Sequence, residues 1–315
     1  MSRKRPKGVL AMGWACFEAA ATGRTEHAPT SADYPDSVLR RTSFTAGGGH
    51  GWRISALETP RAKPAPWRIV VITGAPSWAE YWAETMAALP QDREMVVVDR
   101  PGYAGSEPLH PVADIRVQAE ALAPVLKAAP GQRVLLVGQS YGAAIAAIMA
   151  AENPGRVASL VLLSGFFGET GPTSRWLIDM GSRALKMIPR DLRHAVMEAS
   201  GQRPQLMHAK RALSQLTIQV HMIHGDKDDF APIEVAERLA SETPMRRPIR
   251  IVRTSGANHF LNDGPAPELI AALESCLPPK KRWTFRLPKL PRFGLAKDRL
   301  PRLPTRAPAA GQAPA

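Results

Sequence analysis

Short apolar runs rich in Val, Ile and Leu alternate with longer alanine-rich stretches through the middle of this chain, and that alternation limits what it can fold into. The runs are Trp67–Thr73, Glu94–Asp99, Arg133–Gly138, Val157–Ser164, Gln219–His224 and Pro248–Thr254. Their polarity is continuous rather than alternating, as expected of strands covered on both faces. The stretches Trp78–Leu89, Val112–Ala128, Tyr141–Ala151, Ile233–Ser241 and Pro267–Leu277 read as helices between them. Strand and helix in repeated alternation predict an α/β fold with a mostly parallel, doubly wound sheet. Upstream, Leu39–Ala46 and Gly51–Leu57 flank Gly47-Gly48-Gly49 and read as a hairpin at the sheet edge. One segment, about 166–216, keeps a helical pattern with no strand and reads as an inserted cap.

Composition narrows the class. With 44% hydrophobic and 22% charged residues, the 315-residue chain has material for a sizeable core and is not disordered throughout. No run approaches the ~18 consecutive apolar residues of a membrane-spanning helix. Cys16 and Cys276 lie near opposite ends, which excludes a disulfide scaffold and a cysteine-rich zinc site.

The net charge of +13 suggests nucleic acid until it is located. Residues 1–10 carry +4 and residues 278–315 carry +9, so the body between them is neutral and no specific nucleic-acid partner is expected. The basic segment 278–315 holds eight of the 30 prolines and reads as an extended, disordered tail. It offers contact with anionic surfaces, with Trp283, Phe285 and Phe293 as apolar anchors. Residues 1–37 read as a flexible basic extension. Within it, Arg3–Lys7 followed by the uncharged Gly8–Phe17 is similar to the start of a secretory signal, but the apolar run is short and Glu18 closes it. A cytoplasmic protein is expected, with export as the alternative.

The motif that carries chemistry is Gly138-Gln139-Ser140-Tyr141-Gly142, directly after one expected strand and directly before an expected helix. A serine at such a turn is lifted above the sheet, and glycines two before and two after avoid collision with neighbouring backbone. A hydroxyl there needs a base, itself oriented by a carboxylate. Past the next strand come Asp226, Asp228 and Asp229, and past the last strand comes His259. Strand ends on one side of a parallel sheet converge, so these loops can meet. His221 and His224 are three apart, which on a strand puts them on opposite faces, so no metal site is expected.

With these motifs, the chain resembles the α/β-hydrolase family over roughly residues 38–277. The family's nucleophile elbow matches Gly138–Gly142, its acid loop matches Gly225, Asp228 and Pro232, and its histidine loop matches Gly256–Phe260. The turn Asp99–Ser106 also looks like the family's. The resemblance implies Ser140 as nucleophile, His259 as base and Asp228 as its orienting acid, in the family's chain order. It implies an oxyanion hole from the backbone N–H groups of Tyr141 and Ala75. Many relatives carry histidine-glycine where this chain has Thr73-Gly74. No cofactor is implied. The expected activity is hydrolysis of a small-to-medium carboxylic ester through an acyl-enzyme, with an acyl small molecule as partner. Alternatives on the same residues are thioester or C–C hydrolysis and cofactor-free lyase or haloperoxidase chemistry; a non-catalytic small-molecule receptor is the remaining one. Of the cap's Phe166, Phe167, Trp176, Leu177, Met180, Leu185 and Met187, packing should claim more than half and the rest should line an acyl pocket.

Overall fold

The computed structural model describes residues 30–263 and 265–278. The signal-like segment and the basic tail beyond residue 278 lie outside the described residues.

Eight strands form one sheet: β1 (Arg40–Thr45), β2 (Arg53–Glu58), β3 (Trp67–Ile72), β4 (Arg93–Val98), β5 (Arg133–Gln139), β6 (Val157–Leu163), β7 (Gln219–Gly225) and β8 (Arg250–Thr254). Their order is β1-β2-β4-β3-β5-β6-β7-β8. The β1–β2 hairpin is antiparallel, with β1 at the edge, and β2 meets β4 antiparallel; all other pairs are parallel. The doubly wound architecture follows from the strand sequences. Val70, Ile72, Val134, Leu136, Leu160 and Leu162 are buried in one apolar layer, while Ile69, Val71, Leu135, Val137 and Val161 are buried in the other. Alternate side chains leave opposite faces of a strand, so a continuous apolar run serves two layers at once.

The first layer is closed by α2 (Ile115–Leu122), α3 (Gly142–Glu152), α6 (Leu206–Gln215) and α7 (Ile233–Glu242); the second is closed by α1 (Ala83–Ala87) and α8 (Ala266–Ser275). Alanine and glycine fill α3, and its residues from Gly142 to Ala150 are all buried. Six alanines and one glycine, with Ile145, Ile148 and Met149 among them, let it lie between the sheet, α2 and α6.

Two expected helices are shorter than their sequence pattern. Asp114 caps α2 through the Arg116 N–H at 2.8 Å, so the helix starts after Val112. Pro124 then lacks the donor that would continue it, and the chain tightens into a 3-10 turn over Ala123–Leu126. The expected helix from Trp78 opens as a 3-10 turn, Ala79–Trp82, whose first N–H goes to Asp99 Oδ1 at 2.7 Å. The packed body also starts before residue 38. The Ser31 N–H and hydroxyl donate to Glu80 at 2.6 and 2.9 Å, and Tyr34 packs, half-buried, against the second layer.

Between β6 and β7 the insertion folds as α4 (Pro172–Arg183), α5 (Arg190–Gly201) and α6, with no strand. Helix α4 packs mainly on α5, where Gly181 backs onto Val196. Its position explains a departure from expectation. Of the seven apolar residues singled out, only Phe166 and Phe167 are buried; Leu177 and Leu185 are half-buried, and Trp176, Met180 and Met187 are exposed. No helix among the described residues is long and apolar enough to cross a membrane.

Candidate active site

Ser140 sits between the end of β5 and the start of α3 with φ at +50°, a left-handed conformation that costs a non-glycine residue roughly 1–3 kcal/mol. Neighbouring backbone holds it there. The Ser140 N–H donates to the Leu163 carbonyl at 2.9 Å, and its own carbonyl accepts from Ala143 and Phe166, each at 3.0 Å. The flanking glycines are sterically required. A Cβ on Gly138 would lie 2.7 Å from Ala143 Cα, Ala146 Cβ and the Gly142 carbonyl, and one on Gly142 would strike the Ile72 and Thr73 carbonyls. Gln139 ties the turn sideways: its Oε1 accepts from Trp82 Nε1 at 2.9 Å, and its Nε2 donates to Asn262 Oδ1 at 2.6 Å. Asn262 follows His259 closely in sequence, so the serine turn and the histidine loop are fastened together.

Asp228 lies in the loop after β7. Asp228 is buried and accepts four hydrogen bonds. Its Oδ1 takes the N–H groups of Phe230 and Ala231 at 3.0 and 2.8 Å. Its Oδ2 lies 2.8 Å from His259 Nδ1 and 3.0 Å from His224 Nε2. Burial works to raise the carboxyl's pKa, but the bonds from His224 and His259, the His259 charge and the Ala231 N–H together hold it well below the usual carboxylate range. The group is therefore ionised and can only accept, so His259 Nδ1 carries a proton. That leaves the lone pair of Nε2 facing Ser140 Oγ, 2.9 Å away. Phe230 stacks on the imidazole, with centroids 5.2 Å apart, and Phe260 meets it edge-on. Gly225 permits the close crossing of the two loops, since a Cβ there would sit 2.5 Å from the Asn258 carbonyl. The rival acids are engaged elsewhere: Asp226 accepts from the Gly256 N–H at 2.7 Å, and Asp229 accepts from the Thr173 hydroxyl.

The loop after β3 runs against the serine. A Cβ on Gly74 would lie 2.9 Å from Ser140 Cβ and 3.5 Å from Oγ. Among the described residues, neither the Ala75 nor the Tyr141 N–H has a hydrogen-bond acceptor. Tyr141 directly follows the serine, and Ala75 follows the glycine that packs on it. Thr73, which stands where many relatives have histidine, donates to the Val98 carbonyl at 3.0 Å and contacts Ser77 Oγ, pinning the loop to β4.

A family model described as alpha/beta hydrolase fold matches residues 68–210, the stretch from β3 through the serine turn into the insertion. The chain has the α/β-hydrolase fold. A hydrolase from Pseudomonas putida named for 2-hydroxy-6-oxononadienedioate and 2-hydroxy-6-oxononatrienedioate is 30% identical over 118 residues, 36% of this chain and 39% of that protein. The chain thus matches about two fifths of that curated relative's length. Among solved structures, a thermophilic esterase from Thermogutta terrifontis superposes with a TM-score of 0.58 at 17% identity, over 75% of this chain and 97% of its own. An esterase from Exiguobacterium antarcticum gives 0.58 at 19% identity, over 74% and 99%.

Within this α/β-hydrolase fold, His224 plays a part that sequence reasoning missed. It lies on β7, fully buried, with Nε2 2.7 Å from the Ala231 carbonyl as well as 3.0 Å from Asp228 Oδ2. Both neighbours are acceptors, so Nε2 carries a proton shared between them. The His221–His224 spacing suggested at most a metal pair, but the partner of His224 is the acid four residues ahead. The signal available was a histidine on the strand directly before the Gly225 turn, within reach of a loop that folds back. Among the described residues no group of three or more His, Cys, Asp or Glu side chains could hold a metal ion.

Proposed function

We propose that the protein is a serine hydrolase that cleaves a small-to-medium carboxylic ester through a covalent acyl-enzyme. The observation that carries this reading is the unbroken contact from Ser140 Oγ through His259 to Asp228, at 2.9 and 2.8 Å. Ser140 attacks the ester carbonyl as its proton passes to His259 Nε2, and Asp228 stabilises the imidazolium that forms. The carbonyl oxygen becomes an oxyanion, and the N–H groups of Ala75 and Tyr141 receive it. Collapse expels the alcohol, which takes the proton from His259 Nε2. Water, activated by the same imidazole, then releases the acid and restores the serine.

The test combines active-site labelling with a chain-length series of p-nitrophenyl esters. A fluorophosphonate should modify Ser140 alone, and Ser140→Ala should abolish both labelling and ester turnover while unfolding at an unchanged denaturant midpoint. Full ester turnover in that variant would reject the assignment.

A second reading keeps these residues and changes the bond. It is favoured by the Pseudomonas putida relative, whose name makes it a hydrolase of 2-hydroxy-6-oxononadienedioate. The same water-activating machinery can serve C–C cleavage on this fold. Turnover of that compound faster than of any ester in the series would select it.

A further inference from the structure

Arg100 is a fully buried cation that the reaction above does not use. Its guanidinium faces two ways. On one side Nη2 and Nε donate to the Gly74 carbonyl at 2.8 and 3.3 Å, and Nε also donates to the Thr73 carbonyl at 2.9 Å. On the other, Nη2 and Nη1 meet the two oxygens of Glu198 at 2.8 and 3.0 Å, and Nη1 donates to Gln118 Oε1 at 2.6 Å. Glu198 belongs to α5 of the insertion and is itself fully buried. It also accepts from the Tyr103 hydroxyl at 2.6 Å and from Gln118 Nε2 at 2.8 Å. Every oxygen of this carboxylate is answered, as a buried charge requires.

The consequence lies in peptide geometry. The Gly74–Ala75 bond is not among the cis peptides, and in a planar trans peptide the N–H points opposite to the preceding carbonyl. By holding the Gly74 oxygen, Arg100 fixes the direction of the Ala75 N–H, which points away from the guanidinium and has no acceptor among the described residues. The same peptide runs against Ser140, where a Cβ on Gly74 would lie 3.5 Å from Oγ. Arg100 is held in turn by a helix seated on its own loop. Besides Glu198, α5 presents His194, whose Nδ1 lies 2.8 Å from the Gly102 carbonyl, and Asp191, whose Oδ2 accepts from Ala104 N–H at 3.0 Å and Trp78 Nε1 at 2.7 Å.

We propose that Arg100 and Glu198 are positioning residues that aim the Ala75 N–H at the developing oxyanion, so that seating of the insertion helix α5 controls the oxyanion site. This rests on the serine-hydrolase reading and deepens it. Neither side chain touches the acyl group; each acts through the backbone of residues 73–75. A misaimed donor is worth nearly as little as an absent one, and loss of one such donor typically costs about 10²–10³ in kcat.

The experiment compares the full-length chain with Arg100→Lys, Glu198→Gln and Tyr103→Phe on the best p-nitrophenyl ester of the series. Arg100→Lys keeps the charge but has no planar fork to span the Gly74 carbonyl and both Glu198 oxygens. Its kcat should fall about 10²-fold with KM moved less than about threefold, which is the pattern of an interaction made only in the transition state. Glu198→Gln should lower kcat at least tenfold in the same way. Tyr103→Phe removes one bond to Glu198 but leaves the Arg100 contacts in place, and should lower kcat clearly less than Glu198→Gln does. Affinity for a trifluoromethyl ketone, which becomes a charged tetrahedral adduct on Ser140, should fall in step with kcat/KM. The acid limb of the pH–rate profile, which reports the serine–histidine–aspartate relay, should not move. Ketone affinity unchanged in Glu198→Gln, a shifted acid limb, or a Tyr103→Phe defect as large as that of Glu198→Gln would each overturn the proposal. If Arg100→Lys fails to fold, Glu198→Gln decides alone. Absence of labelling at Ser140 in the parent chain would instead strike the serine-hydrolase reading, so the two failures are distinguishable.

Discussion

Asp228→Asn is the most informative single exchange because this carboxylate is surrounded by donors. Its Oδ1 receives two backbone N–H groups and its Oδ2 faces two imidazole nitrogens. An asparagine satisfies the backbone pair with its carbonyl and turns its NH2 toward both histidines. His259 must then surrender the proton on Nδ1 and carry it on Nε2, where it points at Ser140 Oγ and can no longer accept. A wrong tautomer of this kind costs about 10⁴ in kcat, equivalent to ~5.5 kcal/mol. His224 has no such escape. Moving its proton to Nδ1 would set the Nε2 lone pair against the Ala231 carbonyl, 2.7 Å away, so one buried donor pair stays frustrated. That adds about 1–3 kcal/mol of lost stability. The assay is steady-state ester hydrolysis beside urea denaturation of the same samples. The expected result is a kcat down about 10⁴-fold, with KM little changed and a lowered urea midpoint. A kcat within tenfold of the parent, at full occupancy of Ser140 by fluorophosphonate, would refute the tautomer argument.

Three further outcomes follow from the same contacts. His224→Leu removes a donor to a buried charge and should cost about 1.5–3 kcal/mol in urea denaturation, whereas His224→Gln, which can restore an N–H near the Nε2 position, should cost clearly less. Gly138→Ala should lower stability by about 1–3 kcal/mol or more, because its Cβ would overlap atoms of Gly142, Ala143 and Ala146 at the start of α3, and ester turnover should fall as that segment shifts. The pH dependence has a definite sign. Since the Asp228 carboxyl titrates lower in the folded than in the unfolded chain, it contributes stability that is complete above its unfolded pKa of ~3.9 and is lost as pH falls through the folded value. The stability gap between the parent and Asp228→Asn should therefore narrow as pH falls below about 4, by urea titration at each pH. A gap that widens as pH falls from about 4 to about 2 would contradict the hydrogen bonds assigned to Asp228.

How much of this was legible beforehand depended on whether a residue answers to its local backbone or to a distant partner. The strands were readable because Ile69 and Val70, or Leu135 and Leu136, serve opposite layers from adjacent positions. The serine turn was readable because two glycines are demanded within five residues by close backbone approach. The choice among Asp226, Asp228 and Asp229 needed the offsets to Gly225 and Pro232, which mark where the loop is crossed by Asn258 and where α7 begins. Arg100 was different. Its partner is 98 residues away in sequence, and nothing in the turn from Asp99 to Ser106 announces that a side chain there reaches back to the Gly74 carbonyl.

A usable signal did exist on the partner's side. Asp191, His194, Ala195 and Glu198 recur at the spacing of one helical face, and they are the residues of α5 that are buried. Read for periodicity of hydrophobicity, that face disappears, because three of its four positions are polar. A buried polar stripe obliges the fold to supply matching groups opposite it, since each unanswered charge or donor would cost several kcal/mol. Here the answering surface is the loop of Arg100, Gly102 and Ala104. Apolar packing would let α5 slide or repack at little cost, whereas directional bonds to three points of one loop fix its register. The polarity that hid the helix face from sequence reasoning is thus what allows the position of α5 to be transmitted to the peptide beside Ser140.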